Sequence, residues 1–391
     1  MKAGFYGVCG CQRLFQRGLK FKKEEIMKRW MVLMLAVGFV LTASFSAQAD
    51  SVLLPWIVKN KTVSTIVTLV NTANPDPTID QKVRFHLMYW YKASTQNLPN
   101  ERCEEVDFCV PTSFNDILVF DAAGNINHGA PLFGDTSVQG TKYTTVQGDA
   151  LSLPADAPRR GFLIVTNEIY RNESCGSSRL MGGEDTVYAE AMVVDIATGA
   201  AWGYDGYNPR NASSWLDFSD NATSGTDALG QVVASNNDEY AFLTIMPPSV
   251  FTTKIFVTPV ASNMWNGSLY VVSKLYCDIR ENLGGMYDYD ENCISFDTVK
   301  KVVCTDASTV DHYVSSGAWT IFANTKAEGW AYLYLPFLPN PDFVASTRQA
   351  TIGKLEYSLG TASFDGNKIG AAINNFIWLR GRTLPLPDTQ R

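Results

Sequence analysis

Residues 82–87 alternate polar and apolar, and the same period of two carries on to 91: Val83, Phe85, Leu87, Tyr89 and Tyr91 fall on one side, and Arg84, His86, Met88 and Trp90 on the other. A period of two sends alternate side chains to opposite faces of an extended strand, so this segment describes a sheet with one face buried and the other partly wet. The same alternation, or a short apolar run rich in Val, Ile, Thr and aromatics, returns at 52–58, 63–71, 117–120, 162–166, 187–195, 240–245, 253–257, 269–277, 294–303, 319–322, 330–335, 352–359 and 369–378. Helical periodicity is scarce. Between the runs stand Asn74-Pro75-Asp76-Pro77, Asp121-Ala122-Ala123-Gly124-Asn125 and Pro339-Asn340-Pro341-Asp342. These make turns because Gly and Asn tolerate positive φ and Pro fixes φ near −65°.

The pattern predicts an all-β protein: tandem antiparallel β-sandwiches with Greek-key connections, immunoglobulin-like or jelly-roll-like. A weak internal echo supports two units. Thr65-Ile66-Val67-Thr68-Leu69-Val70 and the strand from Lys82 parallel Lys254-Ile255-Phe256-Val257-Thr258-Pro259 and the strand from Leu269, and Gly161-Phe162-Leu163-Ile164 parallels Gly329-Trp330-Ala331-Tyr332. The expected domains are 50–235 and 236–391, meeting in the polar stretch Ser235-Asn236-Asn237-Asp238. An outer-membrane barrel fits less well, since several strands are apolar on both faces rather than alternating apolar-out and polar-in.

Ahead of these units, Met27-Lys28-Arg29, the apolar stretch from Trp30 to Leu41 and Ala47-Gln48-Ala49 follow the order of a secretory signal peptide, predicting cleavage before Asp50. The apolar run is shorter than the roughly 20 residues that span a bilayer, so no integral membrane segment is expected after cleavage. Residues 1–26 place basic residues and two cysteines before a normal signal start. They read as upstream translation from a misassigned start: Lys22-Lys23-Glu24-Glu25-Ile26 can be encoded by a purine-rich ribosome-binding site, which implies a bacterial source. The expected location is periplasmic, extracellular or cell-surface.

Residues 1–49 carry eight Lys/Arg and two Asp/Glu, so the mature chain holds 24 basic and 37 acidic residues, a net charge near −13. Nucleic acid and anionic membranes are bound through Lys and Arg, and no basic stripe is visible, so neither is expected as a partner. Cys103, Cys109, Cys175, Cys277, Cys293 and Cys304 form an even set in an oxidising compartment, without a CxxC, and predict disulfides. The spacing favours Cys103 with Cys109, Cys277 with Cys293, and Cys175 with Cys304.

Candidate chemistry is sparse. The three histidines, His86, His128 and His312, have no metal-ligand spacing, and no G-x-S-x-G occurs. No catalytic residue or cofactor is assigned. Asp288, Asp290 and Asn292 alternate oxygen ligands like the start of a calcium loop, but Cys293 stands where the turn glycine belongs and Val299 where the bidentate Glu belongs. Trp202, Tyr204, Tyr207 and Trp215 cluster in a Gly/Asn-rich segment and could present rings to a sugar. The leading expectation is a secreted, non-enzymatic envelope, matrix or surface-assembly protein acting through sandwich surfaces and strand edges, with self-association or other envelope proteins as partners. A carbohydrate-binding protein using Trp202 to Trp215 comes second, and a calcium-dependent or hydrolytic enzyme third.

Overall fold

The computed structural model describes residues 51–59, 62–73, 82–93, 103–122, 159–170, 179–180, 186–195, 197, 199–208, 216–219, 239–265, 267–335, 349–358, 363–364, 367–368, 373–379 and 381–383. The expected signal segment, Cys175, His128 and Trp215 lie outside them. The first half of the chain supplies β1 (Ser51–Lys59), β2 (Val63–Asn71), β3 (Lys82–Ala93), β4 (Glu104–Thr112), β5 (Ile117–Asp121), β6 (Arg159–Tyr170), the two-residue β7 (Arg179–Leu180), β8 (Val187–Asp195) and β9 (Ala200–Asp205). The second supplies β10 (Glu239–Ile245), β11 (Thr252–Val260), β12 (Tyr270–Asp278), β13 (Leu283–Tyr287), β14 (Cys293–Ser295), β15 (Lys300–Val303) and β16 (Asp306–Thr309). A 3-10 turn and α1 (Ser316–Thr325) come next. They are followed by β17 (Gly329–Tyr334), β18 (Gln349–Ser358), β19 (Ser363–Phe364), β20 (Asn367–Lys368), β21 (Ile373–Trp378) and β22 (Gly381–Thr383).

The protein is all-β in character, and its strands form antiparallel sheets. Sheet I runs β1-β6-β3-β4 with β7 beside β6, and sheet II runs β5-β2-β8-β9. Sheet III runs β14-β13-β12-β17-β10-β22 with β15 also on β12, and sheet IV runs β16-β11-β18-β21. The strand order of the first half returns in the second. The path β1-β6-β3-β4 maps onto β10-β17-β12-β15, and β5-β2-β8-β9 maps onto β16-β11-β18-β21. The echo in the sequence therefore falls on equivalent strands: β2 with β11, β3 with β12, and β6 with β17. The β13–β14 hairpin and α1 are additions of the second half.

Alternation drives the packing. On β8, Val187, Ala189, Ala191 and Val193 are buried, while Tyr188, Glu190 and Met192 face outward. Those apolar residues join Leu54, Val67, Leu69, Leu87, Leu163 and Val165 in one cluster fed by sheets I and II. A second cluster joins Leu243, Ile255, Leu275, Leu333, Ile352 and Phe322 from sheets III, IV and α1. Gly161 is required where β6 crosses β3, because a Cβ there would lie 2.0 Å from the Trp90 carbonyl oxygen.

The halves are sealed to each other. Between Leu54 and Ile57 the β1–β6 register slips, and the resulting bulge carries Pro55 and Trp56. The Pro55 carbonyl oxygen accepts from Thr258 Oγ1 at 2.7 Å and Thr305 Oγ1 at 3.1 Å, both buried residues of the second half. Trp56 lies edge-on to Phe256 at 5.0 Å. Phe256 and Leu355, on the outer face of sheet IV, thereby belong to the first half's cluster. A third cluster joins Leu53, Met88, Trp90, Phe162 and Ile164 on the outer face of sheet I to Val260, Met264 and Leu269.

Four sequence expectations are corrected. The polar face of β3 is not wet: Arg84, His86, Met88 and Trp90 are all at most 5% exposed, because sheet I is covered on its outer side as well. Residues 319–322 are helical, with Phe322 and Ala318 buried on one side of α1. Residues 294–303 break into β14 and β15. Cys103 pairs with Cys304 and not with Cys109. Residues 104–112 are one extended strand, so Cys103 and Cys109 stand roughly 20 Å apart at about 3.3 Å per residue, far beyond the reach of a bridge. Cys277 pairs with Cys293 as expected, beside Gly285, whose φ of +152° and closeness to both sulfurs exclude a side chain. Cys109 is also disulfide-bonded. Among the described residues no helix is long and apolar enough to cross a membrane.

The Cys103–Cys304 bridge closes a 201-residue separation and ties the halves together. Peptide mapping without reductant should recover Cys103–Cys304 and Cys277–Cys293 peptides and join Cys109 to Cys175. Replacing Cys304 with Ser should cost about 2–5 kcal/mol of stability in denaturant titration.

Candidate ligand-binding face

The aromatic segment that the sequence offered as a sugar platform is turned inward. Tyr207 is fully buried, Tyr204 is buried, and Trp202 is half-buried. Trp202 stacks on Phe376 at 4.7 Å and meets Phe256 edge-on at 5.0 Å, while Tyr204 meets Trp378 edge-on at 5.8 Å. The Tyr204 hydroxyl accepts from the Trp56 amide at 3.2 Å and donates to the Trp56 carbonyl. These rings join β9 to β21 and hold the halves together, so their faces are occupied by protein.

Asp288, Asp290 and Asn292 form the tip of the β13–β14 hairpin. The Asp288 carboxylate is engaged within the turn: Asn292 donates its amide at 2.8 Å and its side-chain nitrogen at 3.2 Å. Asp290 is exposed. No group of three or more His, Cys, Asp or Glu placed to hold a metal occurs among the described residues.

His86 is the centre of a buried ionic chain. Its Nδ1 lies 2.9 Å from Glu168 Oε1, and Arg84 Nε donates to Glu168 Oε2 at 3.0 Å. On the other side, His86 Nε2 lies 3.4 Å from Asp107 Oδ1, an ion-pair distance without good hydrogen-bond geometry. Burial alone would lower the imidazole pKa, but Asp107 and Glu168 outweigh it and raise the value to about 9. Burial likewise pushes the Glu168 carboxyl up, and His86 and Arg84 more than reverse that. His86 is therefore a cation at neutral pH and a poor general base. Glu105, across from Trp90 in the β3–β4 ladder, has its pKa raised to about 7 by burial and by the charge of Asp107. It lines a cavity of about 800 Å³ with Trp265, which is 48% exposed.

Among the described residues, an organised set of rings that is partly open to solvent lies on the outer face of sheet III. On β17, Ala331 and Leu333 are buried while Trp330, Tyr332 and Tyr334 point away from the core. On β10, Ala241, Leu243 and Ile245 are buried while Tyr240, Phe242 and Thr244 point the same way. Register places Tyr240 beside Tyr334, Phe242 beside Tyr332, and Thr244 beside Trp330. The next strands extend the rows, with Tyr276 beside Tyr332 and Tyr287 beside Trp330. Tyr287 stacks on Trp330 at 4.3 Å and Trp330 on Phe242 at 5.1 Å, whereas Tyr240 meets Tyr332 edge-on at 4.8 Å. Burial and the neighbouring Tyr240 raise the Tyr332 pKa, so its hydroxyl stays protonated and can donate. Lys274 reaches over the Tyr276 ring at 4.8 Å and forms an ion pair with Asp297 at one margin.

Repetition of the strand order gives this face an internal control. Equating Gly161 with Gly329 pairs Leu53, Ile164 and Met88 on sheet I with Phe242, Tyr332 and Tyr276 on sheet III. The sheet I trio is aliphatic or thioether and wholly buried under the second half. The sheet III trio is aromatic: Phe242 at its outer side is 37% exposed, Tyr332 is half-buried and Tyr276 is buried. Sequence reasoning missed this face because Trp330-Ala331-Tyr332-Leu333-Tyr334 is apolar at every position and reads as a strand buried on both sides.

No protein-family model matches this chain, and no curated protein is significantly similar to it.

The His86 chain sets a pH dependence. A histidine whose folded pKa lies above its unfolded value contributes stability that is complete below about pH 6.5 and is lost as pH rises through about 9. The wild type should lose about 1–2 kcal/mol over that window in denaturant melts, discounted for the partly exposed Asp107. A His86→Gln variant should show a flatter profile there.

Proposed function

We propose that residues 50–391 form a secreted, non-enzymatic binding protein of a bacterial cell envelope or its surroundings, built as two tandem β-sandwiches, which holds a glycan on the aromatic face of sheet III. The secretory reading rests on the basic, apolar and Ala47-Gln48-Ala49 sequence order ahead of Asp50 and on the disulfides. The sandwich reading rests on paired sheets that share one hydrophobic cluster in each half.

The observation that carries the glycan reading is the contrast between equivalent faces. Where protein covers protein, the outer face of sheet I sets Leu53, Ile164 and Met88 beside Trp90 and Phe162, and all five are buried. At the same places sheet III uses Phe242, Tyr332 and Tyr276, with Trp330, Tyr240 and Tyr334 around them. Tyr and Trp combine a broad apolar ring with a polar handle, which suits the apolar face of a sugar ring whose hydroxyls stay hydrogen-bonded. This reading keeps the binding role but moves it from the Trp202 segment, and from strand edges, to a sheet face.

Retention on insoluble polysaccharides, followed by a glycan array, should show the wild type bound and Trp330→Ala and Phe242→Ala each weakened about tenfold or more. Binding by no glycan, or retention unchanged in the double variant, would remove the reading.

A further inference from the structure

In a chain with a large acidic excess, one cavity gathers positive charge. It has a volume of about 500 Å³ and is lined by Lys92, Arg160, Lys254, Lys300 and Lys301, with Asp306 the one carboxylate among its described lining residues. Both halves build it. Lys92 and Arg160 are register partners where β3 ends and β6 begins, while Lys254 lies on β11, Lys300 and Lys301 on β15, and Asp306 on β16. Strand alternation explains Lys254: its neighbours Ile255 and Val257 enter the second half's core, so Lys254 and Phe256 face the first half.

Among the described residues the charges around Asp306 do not balance. Arg160 Nη1 lies 3.2 Å and Lys300 Nζ 2.9 Å from its two oxygens, and Ser308 Oγ donates to it at 2.7 Å. Lys254 faces the same carboxylate; burial lowers the lysine's pKa and Asp306 only partly restores it. Among the described residues, Arg160, Lys300 and Lys254 thus share the one carboxylate of Asp306. A purely structural ion cluster gains from pairing each buried charge, and surplus charge out of water is costly. Arg160 Nε is in addition buried with no hydrogen-bond partner among the described residues. The volume lies within the roughly 300–1,000 Å³ of small-molecule sites and far exceeds the roughly 30 Å³ share of one water.

We propose that this cavity binds a small molecule carrying two or more oxyanion groups, which supply the negative charge that Asp306 alone does not. Lys254 and Lys300 neutralise one group from either side, with Arg160 beside them, and Lys301 meets a second group at the exposed rim. The site is separate from the aromatic face, and its ligand does not depend on the glycan reading.

The test is isothermal titration of the oxidised protein with citrate as a polycarboxylate, inorganic pyrophosphate as a polyphosphate and glucose as a neutral control, at low and near-physiological salt. We expect at least one anion to bind in a one-to-one ratio, glucose to give no signal, and affinity to fall as salt rises. The anion that binds distinguishes carboxylate from phosphate chemistry. Lys254→Met and Lys301→Gln should each weaken binding about tenfold or more, and the exposed Lys301 variant keeps the test valid should Lys254→Met fail to fold. Absence of binding by either anion, or unchanged affinity in the folded variants, would overturn the proposal.

Discussion

The bulge at Pro55 and Trp56 is the contact on which the rest of the structure depends. A regular β1 would keep its carbonyl groups in the sheet ladder. The register slip instead turns Pro55 toward Thr258 and Thr305, and Trp56 onto Phe256. Proline suits the position because it brings no amide hydrogen to a ladder it has left. Two hydroxyls on one carbonyl oxygen satisfy a polar group that would otherwise be stranded in an apolar junction, where an unpaired acceptor costs on the order of 1–3 kcal/mol. Once the bulge is seated, Trp202, Tyr204 and Phe376 close around it on one side, and Leu53, Trp90 and Met264 close on the other. The Cys103–Cys304 bridge makes the closure covalent.

Repeating one strand order and joining the copies asymmetrically has a functional consequence. In the first half the outer face of sheet I is consumed by the junction, and its residues are those of a dry interior. The corresponding face of sheet III is only partly covered, with Phe242 37% exposed and Tyr276 buried, and on the proposed reading its aromatic residues meet a ligand that keeps some water. The junction also brings Arg160 of one half to Asp306 of the other at 3.2 Å, which creates the cationic cavity as a product of assembly rather than of either half alone.

Much of the fold was legible in the sequence because period-two alternation is local. The inward set Phe85, Leu87, Tyr89 and Tyr91 was read directly, and so was the Cys277–Cys293 closure across a polar loop. The outward set was misread, since Arg84 and His86 look solvated until one knows that Glu168 and Asp107 meet them in a covered face. Cys103 and Cys109 looked like a small loop because Glu104, Glu105 and Asp107 weaken the strand signal of a segment whose partner, β3, supplies its order. The ring clusters were interchanged for the same reason. Trp202 and Tyr204 are flanked by turn residues and look exposed, whereas Trp330 and Tyr332 sit among Ala and Leu and look buried. Which is covered is decided by the junction, a long-range contact that no local pattern records. The cavity cations lie between positions 92 and 301, too far apart in the chain for any local pattern to group them.

The central claim, that the two halves are sealed together by the junction, is tested most directly by differential scanning calorimetry of the oxidised mature protein. A single transition whose calorimetric and van't Hoff enthalpies agree is the predicted result. Two separated transitions, each accounting for about half the enthalpy, would mean that the halves melt independently and would contradict it.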